Sequence, residues 1–132
     1  MHTLAQMYKA FSLLRPQVAT STQTGTGVDL ATYQDDAMAI VNLGAASGTS
    51  ATCIVTIQGS PDNSAWTTLT TFATLTDTSD NQLAAGRVDL TNYRYARAVA
   101  TIAGTSPSFA IDVVILARPE VANASVNSLT AS

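Results

Sequence analysis

The sequence of 132 residues is poor in charged side chains. Asp, Glu, Lys and Arg make up only 11% of it, against about 25% in an ordinary soluble domain. Six basic and nine acidic residues give a net charge of −3. This balance excludes a generic nucleic-acid binder, because neutralising phosphates requires a surplus of Lys and Arg. We therefore expect no nucleic-acid partner.

The sequence contains a single cysteine and a single histidine, which limits the kinds of catalytic site that it can form. Cys53 lies in the apolar run 51–57, so no internal disulfide can form and a buried thiol is expected. His2 stands at the start of the chain, which removes the usual general base of a Ser–His–Asp or Cys–His site. The acidic loop 77–81 lacks the alternating Asp/Asn pattern and closing Glu of a calcium loop. We predict that the chain is not an enzyme and takes no cofactor or metal.

Long apolar runs are also absent. No segment approaches the roughly 18 apolar residues of a membrane span. The stretch 4–14 is interrupted by polar residues and is followed by Arg15-Pro16, not by the small residues of a signal-peptide cleavage site. We expect no membrane partner, and synthesis and folding in a cytoplasm.

Thr, Ser and Ala replace the missing charge. The β-branched side chain of Thr suits a pleated, half-buried surface and favours strands. Solvated monomers ordinarily carry more surface charge than this chain has. The composition therefore fits a β-protein whose surface is partly covered by other chains, with a Thr-rich β-module that has no partner as the alternative.

From Val28 onward, short apolar or alternating runs are separated by turn residues. This pattern predicts an all-β fold, an antiparallel β-sandwich of about seven or eight strands in jelly-roll or immunoglobulin-like order. Turn residues predict hairpins at 60–63, where Pro61 suits a type I turn, and at 104–107. In the run 108–118 the residues at odd positions and those at even positions are both largely apolar, so both faces of that strand are expected to be covered. The predicted strands lie at 28–33, 37–43, 51–58, 66–72, 84–90, 94–103 and 108–118.

The two ends of the chain depart from this pattern. Apolar residues at steps of three and four positions, from Leu4 to Leu14, predict a short helix that ends before Pro16. Such an arm, helical or extended, can fold back on its own domain or contact a neighbour. The last residues form a polar tail of low charge. We divide the chain into an N-terminal arm (1–24), a β-sandwich domain (25–118) and a C-terminal tail (119–132).

Two smaller features predict specific contacts. The pattern Val-Asp-Leu-x-x-Tyr occurs at 28–33 and again at 88–93, which predicts two equivalent corners of a two-sheet fold unless the match is chance. Arg94 and Arg97 are expected to form ion pairs, either with Asp89 and Asp112 or across a subunit boundary.

Two stretches resemble small virion proteins of tailed bacteriophages. The first is Ile57-Gln-Gly-Ser-Pro-Asp62, followed by Trp66. The second runs from Tyr95 to Phe109 with the pattern Tyr-x-Arg-Ala-x-Ala-Thr-x-x-Gly-x-Ser-Pro-Ser-Phe. The resemblance extends over most of residues 25–118.

The resemblance implies a head decoration, or cement, protein on the exterior of the capsid. Such a protein forms a small homo-oligomer, with a trimer favoured, binds the major capsid protein and stabilises the expanded shell. It is made in the cytoplasm of the host bacterium and resides in the virion. A tail or head–tail connector protein is one alternative. A carbohydrate-binding β-sandwich is another, with Trp66, Tyr93 and Tyr95 as its aromatic candidates.

We hypothesise that the N-terminal arm contacts the shell or a neighbouring subunit, unless it only caps one end of its own sandwich. The candidate capsid or subunit contact residues are Met7, Tyr8, Phe11, Leu14, Arg94 and Arg97.

Overall fold

The computed structural model describes residues 8–119, and over this range the chain forms eight antiparallel strands. No helix long and apolar enough to cross a membrane occurs in these residues. The strands are β1 (Lys9–Ala19), β2 (Gln23–Thr24), β3 (Val28–Asp29), β4 (Asp36–Ser60), β5 (Thr67–Thr71), β6 (Leu75–Thr76), β7 (Gln82–Asp89) and β8 (Tyr95–Ala117).

The two long strands β4 and β8 pair along most of their length and bend together. Their register shifts three times between Leu43 and Thr52 of β4. At this level Gly48 and Gly104 have φ values of 132° and 110°, which side chains rarely tolerate. Each strand therefore passes from one sheet into the other.

The bend divides the ladder into two halves, each four strands wide, that we name sheet I and sheet II. Sheet I has the order β1, C-terminal half of β8, N-terminal half of β4, β7. Sheet II has β2 and β3, then the N-terminal half of β8, the C-terminal half of β4, and β5 with β6. The predicted β-sandwich is confirmed as an all-β, antiparallel fold.

The core lies between the two sheets and is filled by alternate residues of the long strands. On β4 the buried set includes Val41, Leu43, Val55 and Ile57, and on β8 the largest buried side chain is Phe109. Because alternate side chains of a strand point to opposite faces, the residues between them form the outer faces of the sandwich.

The repeated Val-Asp-Leu-x-x-Tyr segments form equivalent corners, as the sequence predicts. Asp29 Oδ1 accepts the Ala31 N–H at 3.0 Å, and Asp89 Oδ1 accepts the Thr91 N–H at 3.0 Å. In each corner the tyrosine N–H then donates to the leucine carbonyl three residues earlier, at 3.0 and 2.9 Å. The first corner leads into β4 and the second into β8, so the fold has an approximate internal twofold relation.

The predicted hairpin at 60–63 is confirmed by the pairing of β4 with β5. The hydroxyl of Ser60, which is fully buried, donates to Asp62 Oδ1 at 2.9 Å. That carboxylate also accepts the N–H groups of Ser64 and Ala65, both at 3.0 Å. These hydrogen bonds, led by the one from Ala65, lower the pKa of Asp62 below its usual value.

Several expectations about secondary structure are wrong. The predicted strands 37–43 and 51–58 are parts of the single strand β4, and the predicted strand 28–33 is limited to Val28–Asp29 because the chain turns after Asp29. Residues 104–107 do not close a hairpin; they form the bend of the continuous strand β8, because Gly104 redirects the chain into sheet I. The predicted helix is replaced over 9–15 by strand β1, which pairs with β8. Its helix-like spacing arises because β1 is irregular: the register shifts twice, and Leu13 and Leu14 are both buried.

Pro16 lies within β1 at the second irregularity, where its missing N–H leaves no ladder bond unmade. The N-terminal part of the predicted helix, from Leu4 to Met7, lies outside the described residues, as does the tail beyond Pro119. The division into arm, domain and tail stays a prediction, with β1 as a strand of sheet I.

Candidate interaction surfaces

The outer face of sheet I is largely apolar, and its charged residues are Arg87 and Asp112. Among residues 8–119 the most exposed large apolar side chains are Val18 (65% exposed), Met38 (47%) and Leu83 (71%), and the strand registers place all three on this face. The face is formed by Ala10, Ser12, Val18, Met38, Ile40, Asn42, Leu83, Ala85, Arg87, Ala110, Asp112, Val114 and Leu116.

A groove of about 980 Å³ opens at one end of this face. Met38 and Leu116 form part of its lining, and Tyr8 lies at its edge beneath the Arg118 guanidinium, 5.9 Å from the ring centre. Arg87 at the rim donates from Nε to Asp36 Oδ1 at 2.6 Å. Lys9 and Arg118 also line the groove, so it combines an apolar floor with basic side chains at its edge.

The outer face of sheet II has a different character. Threonine hydroxyls dominate it, and Arg97 Nε donates to Gln58 Oε1 at 2.8 Å. The outward residues include Thr24, Asp29, Thr52, Ile54, Thr56, Gln58, Thr68, Thr71, Thr76, Tyr95, Arg97, Val99 and Thr101. Threonine hydroxyls remain solvated at little cost, so this face needs no protein partner to cover it.

The structure separates the predicted N-terminal contact residues from one another. Tyr8 is half-buried beside the groove. Phe11 packs edge-on against Tyr33 with ring centres 5.2 Å apart, and Leu14 is only 4% exposed within the core. Met7 lies outside the described residues. Of the three that the structure describes, Tyr8 is the one that borders the groove.

The two predicted arginines have different partners from those expected. Arg94 binds both oxygens of Asp29, at 3.0 and 2.8 Å, and this hydrogen-bonded pairing lowers the pKa of Asp29 and raises that of Arg94. The predicted pairs with Asp89 and Asp112 are wrong. Asp89 accepts hydrogen bonds from Thr91 instead, and Asp112 lies on the outer face of the other sheet.

The aromatic candidates for glycan binding are already engaged. The Arg97 guanidinium lies 4.3 Å from the centre of the Trp66 ring, and Arg94 lies 5.2 Å from that of Tyr95. Tyr93 is half-buried against the core. A sugar-stacking platform needs an open ring in a groove, and this geometry gives that function no specific support.

The cysteine behaves as the sequence predicts. Cys53 has no exposed surface, and its burial raises the pKa of the thiol to about 11. It is therefore protonated at neutral pH and a poor nucleophile. In the part of the chain that the structure describes, no three His, Cys, Asp or Glu side chains converge on a common point that could hold a metal ion.

Comparison with known proteins shows that the chain shares its fold with solved structures, but it assigns the chain to no family. No protein-family model and no curated protein matches the chain. The PBSX exported protein XepA matches 90% of this chain at 15% identity with a TM-score of 0.58. The structure of infectious bursal disease virus Gx strain matches 86% at 11% identity with a TM-score of 0.53.

The SPBc2 prophage-derived protein YomS matches 83% of this chain and 92% of its own, at 11% identity and a TM-score of 0.47. The chain spans only 39% of XepA and 32% of the viral chain. The likeness to these two structures therefore concerns a single β-domain within a longer chain.

The apolar outer face of sheet I contains residues that the sequence analysis did not single out, notably Val18, Met38 and Leu83. One feature of the sequence does indicate this apolar face. In the run 108–118 the second alternating set, which includes Val114 and Leu116, is also apolar, and these two side chains lie half-buried on this face. The exposed residues were missed because the order of the strands, which brings β1 and β7 to the same sheet, is not visible in the sequence.

Proposed function

We propose that the chain is a structural protein of a bacteriophage particle, and specifically a head decoration protein that binds the major capsid protein outside the shell. The observation that carries the proposal is the contrast between the two outer faces. The outer face of sheet II is rich in threonine and compatible with solvent, whereas the outer face of sheet I exposes the apolar side chains of Val18, Met38 and Leu83. A protein with such faces is suited to lie against other protein with one side and face solvent with the other.

The fold likeness to XepA and to a virus structure supports a viral context for this β-domain. The sequence resemblance to small virion proteins implies a head decoration protein, so we favour the head over other parts of the particle. No catalytic step, cofactor, nucleic acid or membrane forms part of the proposal.

Decoration stabilises a shell by linkage. A protein that binds the expanded lattice and not its precursor shifts the equilibrium toward the expanded state. Several copies that are joined as a small oligomer bind with several weak contacts at once, and their high effective concentration makes the whole attachment strong.

The location of the protein in purified particles tests the proposal. Antibodies against the folded domain, bound to particles from the phage or prophage that encodes it, should label the head evenly. Label confined to the tail or the neck would support the alternative tail or connector role. The absence of the protein from intact particles would refute both.

A further inference from the structure

The outer face of sheet I has no cover from residues 8–119. Its exposed apolar side chains lie on three different strands, Val18 on β1, Met38 on β4 and Leu83 on β7. They therefore belong to one surface four strands wide and are not isolated exposed residues, which would need no explanation.

The size of the surface can be worked from sheet geometry. Four strands about 4.8 Å apart and about eight residues long at about 3.4 Å per residue give a projected area of about 500 Å². Two such faces in contact bury about 1,000 Å², the lower limit of a specific protein interface. Such a contact is large enough to be specific and small enough to depend on concentration.

The polar centre of the face indicates what covers it. Asn42 and Asp112 lie directly opposite each other on β4 and β8, in the two inner strands of the sheet. They offer an amide donor beside a carboxylate acceptor. A second copy that is rotated by half a turn about an axis in the plane of contact, parallel to the strands and midway between β4 and β8, brings each amide to the carboxylate of the other copy. An isologous contact therefore satisfies the central polar groups from both sides at once.

The residues around this centre fit the same arrangement. Leu83 lies opposite Asn42 on one side, and Val18 lies opposite Ala110 near the other edge. Arg87 on this face is paired with Asp36. A nearly neutral apolar surround with a self-complementary polar centre suits a copy of itself better than a strongly charged partner.

We propose that a second copy of this chain covers the outer face of sheet I, so that two sandwiches pack face to face about a twofold axis. This contact between copies goes beyond the proposed attachment to a shell. It occupies the same face that the proposed function assigns to other protein, so a dimer of this kind attaches to a shell through another surface. A threefold assembly would need a second, separate contact elsewhere on the domain.

The mass of the protein in solution tests this assignment. Sedimentation equilibrium from about 10 μM to about 1 mM, the range that suits a contact of this size, should show the mass rising toward twice the 13.7 kDa of one chain. Leu83→Glu places a charge on the exposed side of β7 and should weaken association at least about tenfold. The matched control is Thr101→Glu, which adds the same charge to the outer face of sheet II and should leave the mass unchanged.

Three results would overturn the proposal. The first is a wild-type protein that stays at 13.7 kDa throughout. The second is an equal loss of association in both variants, and the third is an oligomer that Leu83→Glu leaves intact. If that variant keeps its mass but no longer binds particles, the face belongs to the shell contact instead, and the proposed function survives while this inference fails. Urea unfolding of both variants confirms that each is folded.

Discussion

Replacing Gly104 with alanine tests whether the bend shared by β4 and β8 is what converts one long ladder into two packed sheets. Gly104 has a φ of 110°, and a Cβ placed there would lie 2.5 Å from Ala51 Cα and 2.7 Å from the Ser50 carbonyl oxygen. Both obstacles are backbone atoms of the facing strand, so they cannot move aside as a flexible side chain would. The bend must therefore distort to accept the new methyl group.

The expected cost follows from these two effects. A side-chain-bearing residue held at an unfavourable positive φ costs about 1 to 3 kcal/mol, and the displacement of the facing backbone brings the total to about 2 to 4 kcal/mol. For a domain of this size such a loss lowers the Tm by about 8 to 15 °C. The loss is expected in both the thermal transition and the urea midpoint.

Urea unfolding, followed by the fluorescence of Trp66 and by circular dichroism, measures the change in the free energy of unfolding. Gly44→Ala is the matched control, because a Cβ at Gly44 would meet its nearest neighbour, the Ala110 Cβ, at an ordinary 3.6 Å. That variant should lie within about 1 kcal/mol of wild type. Equal stability of the two variants would refute the role given to the bend.

Three further predictions concern single side chains. The Cys53 thiol should react with a thiol reagent at pH 8 only as fast as the protein unfolds, and rapid labelling in native buffer would contradict its burial and raised pKa. The pKa values of Asp29 and Asp62 are lowered in the fold, so their contribution to stability is complete above about pH 4 and is lost as the pH falls through the folded values. The urea midpoint should therefore drop below about pH 4, and a midpoint independent of pH down to about 2.5 would argue against these hydrogen bonds. Arg97→Ala should shift the Trp66 emission while it changes the free energy of unfolding by less than about 1 kcal/mol, and unchanged emission would show that the stacking does not persist in solution.

Local pattern was sufficient for the fold class and for features whose cause lies within a few residues. The hairpin at 60–63 follows from Pro61 and the hydrogen-bonding capacity of Asp62, and both corners follow from an aspartate that accepts the N–H two residues later. The buried thiol of Cys53 follows from its apolar neighbours. In each case the residues that decide the structure are adjacent in the chain.

The remaining features depend on contacts between distant segments. The turn residues at 104–107 indicate a change of direction, but only the partner strand determines that the chain bends between sheets and does not reverse. The spacing suggests a helix in 4–14, but over 9–14 it is compatible with a bulged strand once β8 supplies a partner. The apolar outer face arises in the same way, since Val18 and Leu83 are 65 positions apart in the chain and reach one sheet only through its topology.

The central claim is that protein covers the outer face of sheet I when the molecule performs its role. The labelling rate of Leu83→Cys tests it most directly, because the native Cys53 is buried and contributes no background. In dilute solution this cysteine should label as fast as one introduced by Thr101→Cys on the outer face of sheet II. In purified particles the account predicts strong protection at position 83 and little at position 101. Equal labelling of the two positions in particles would contradict it.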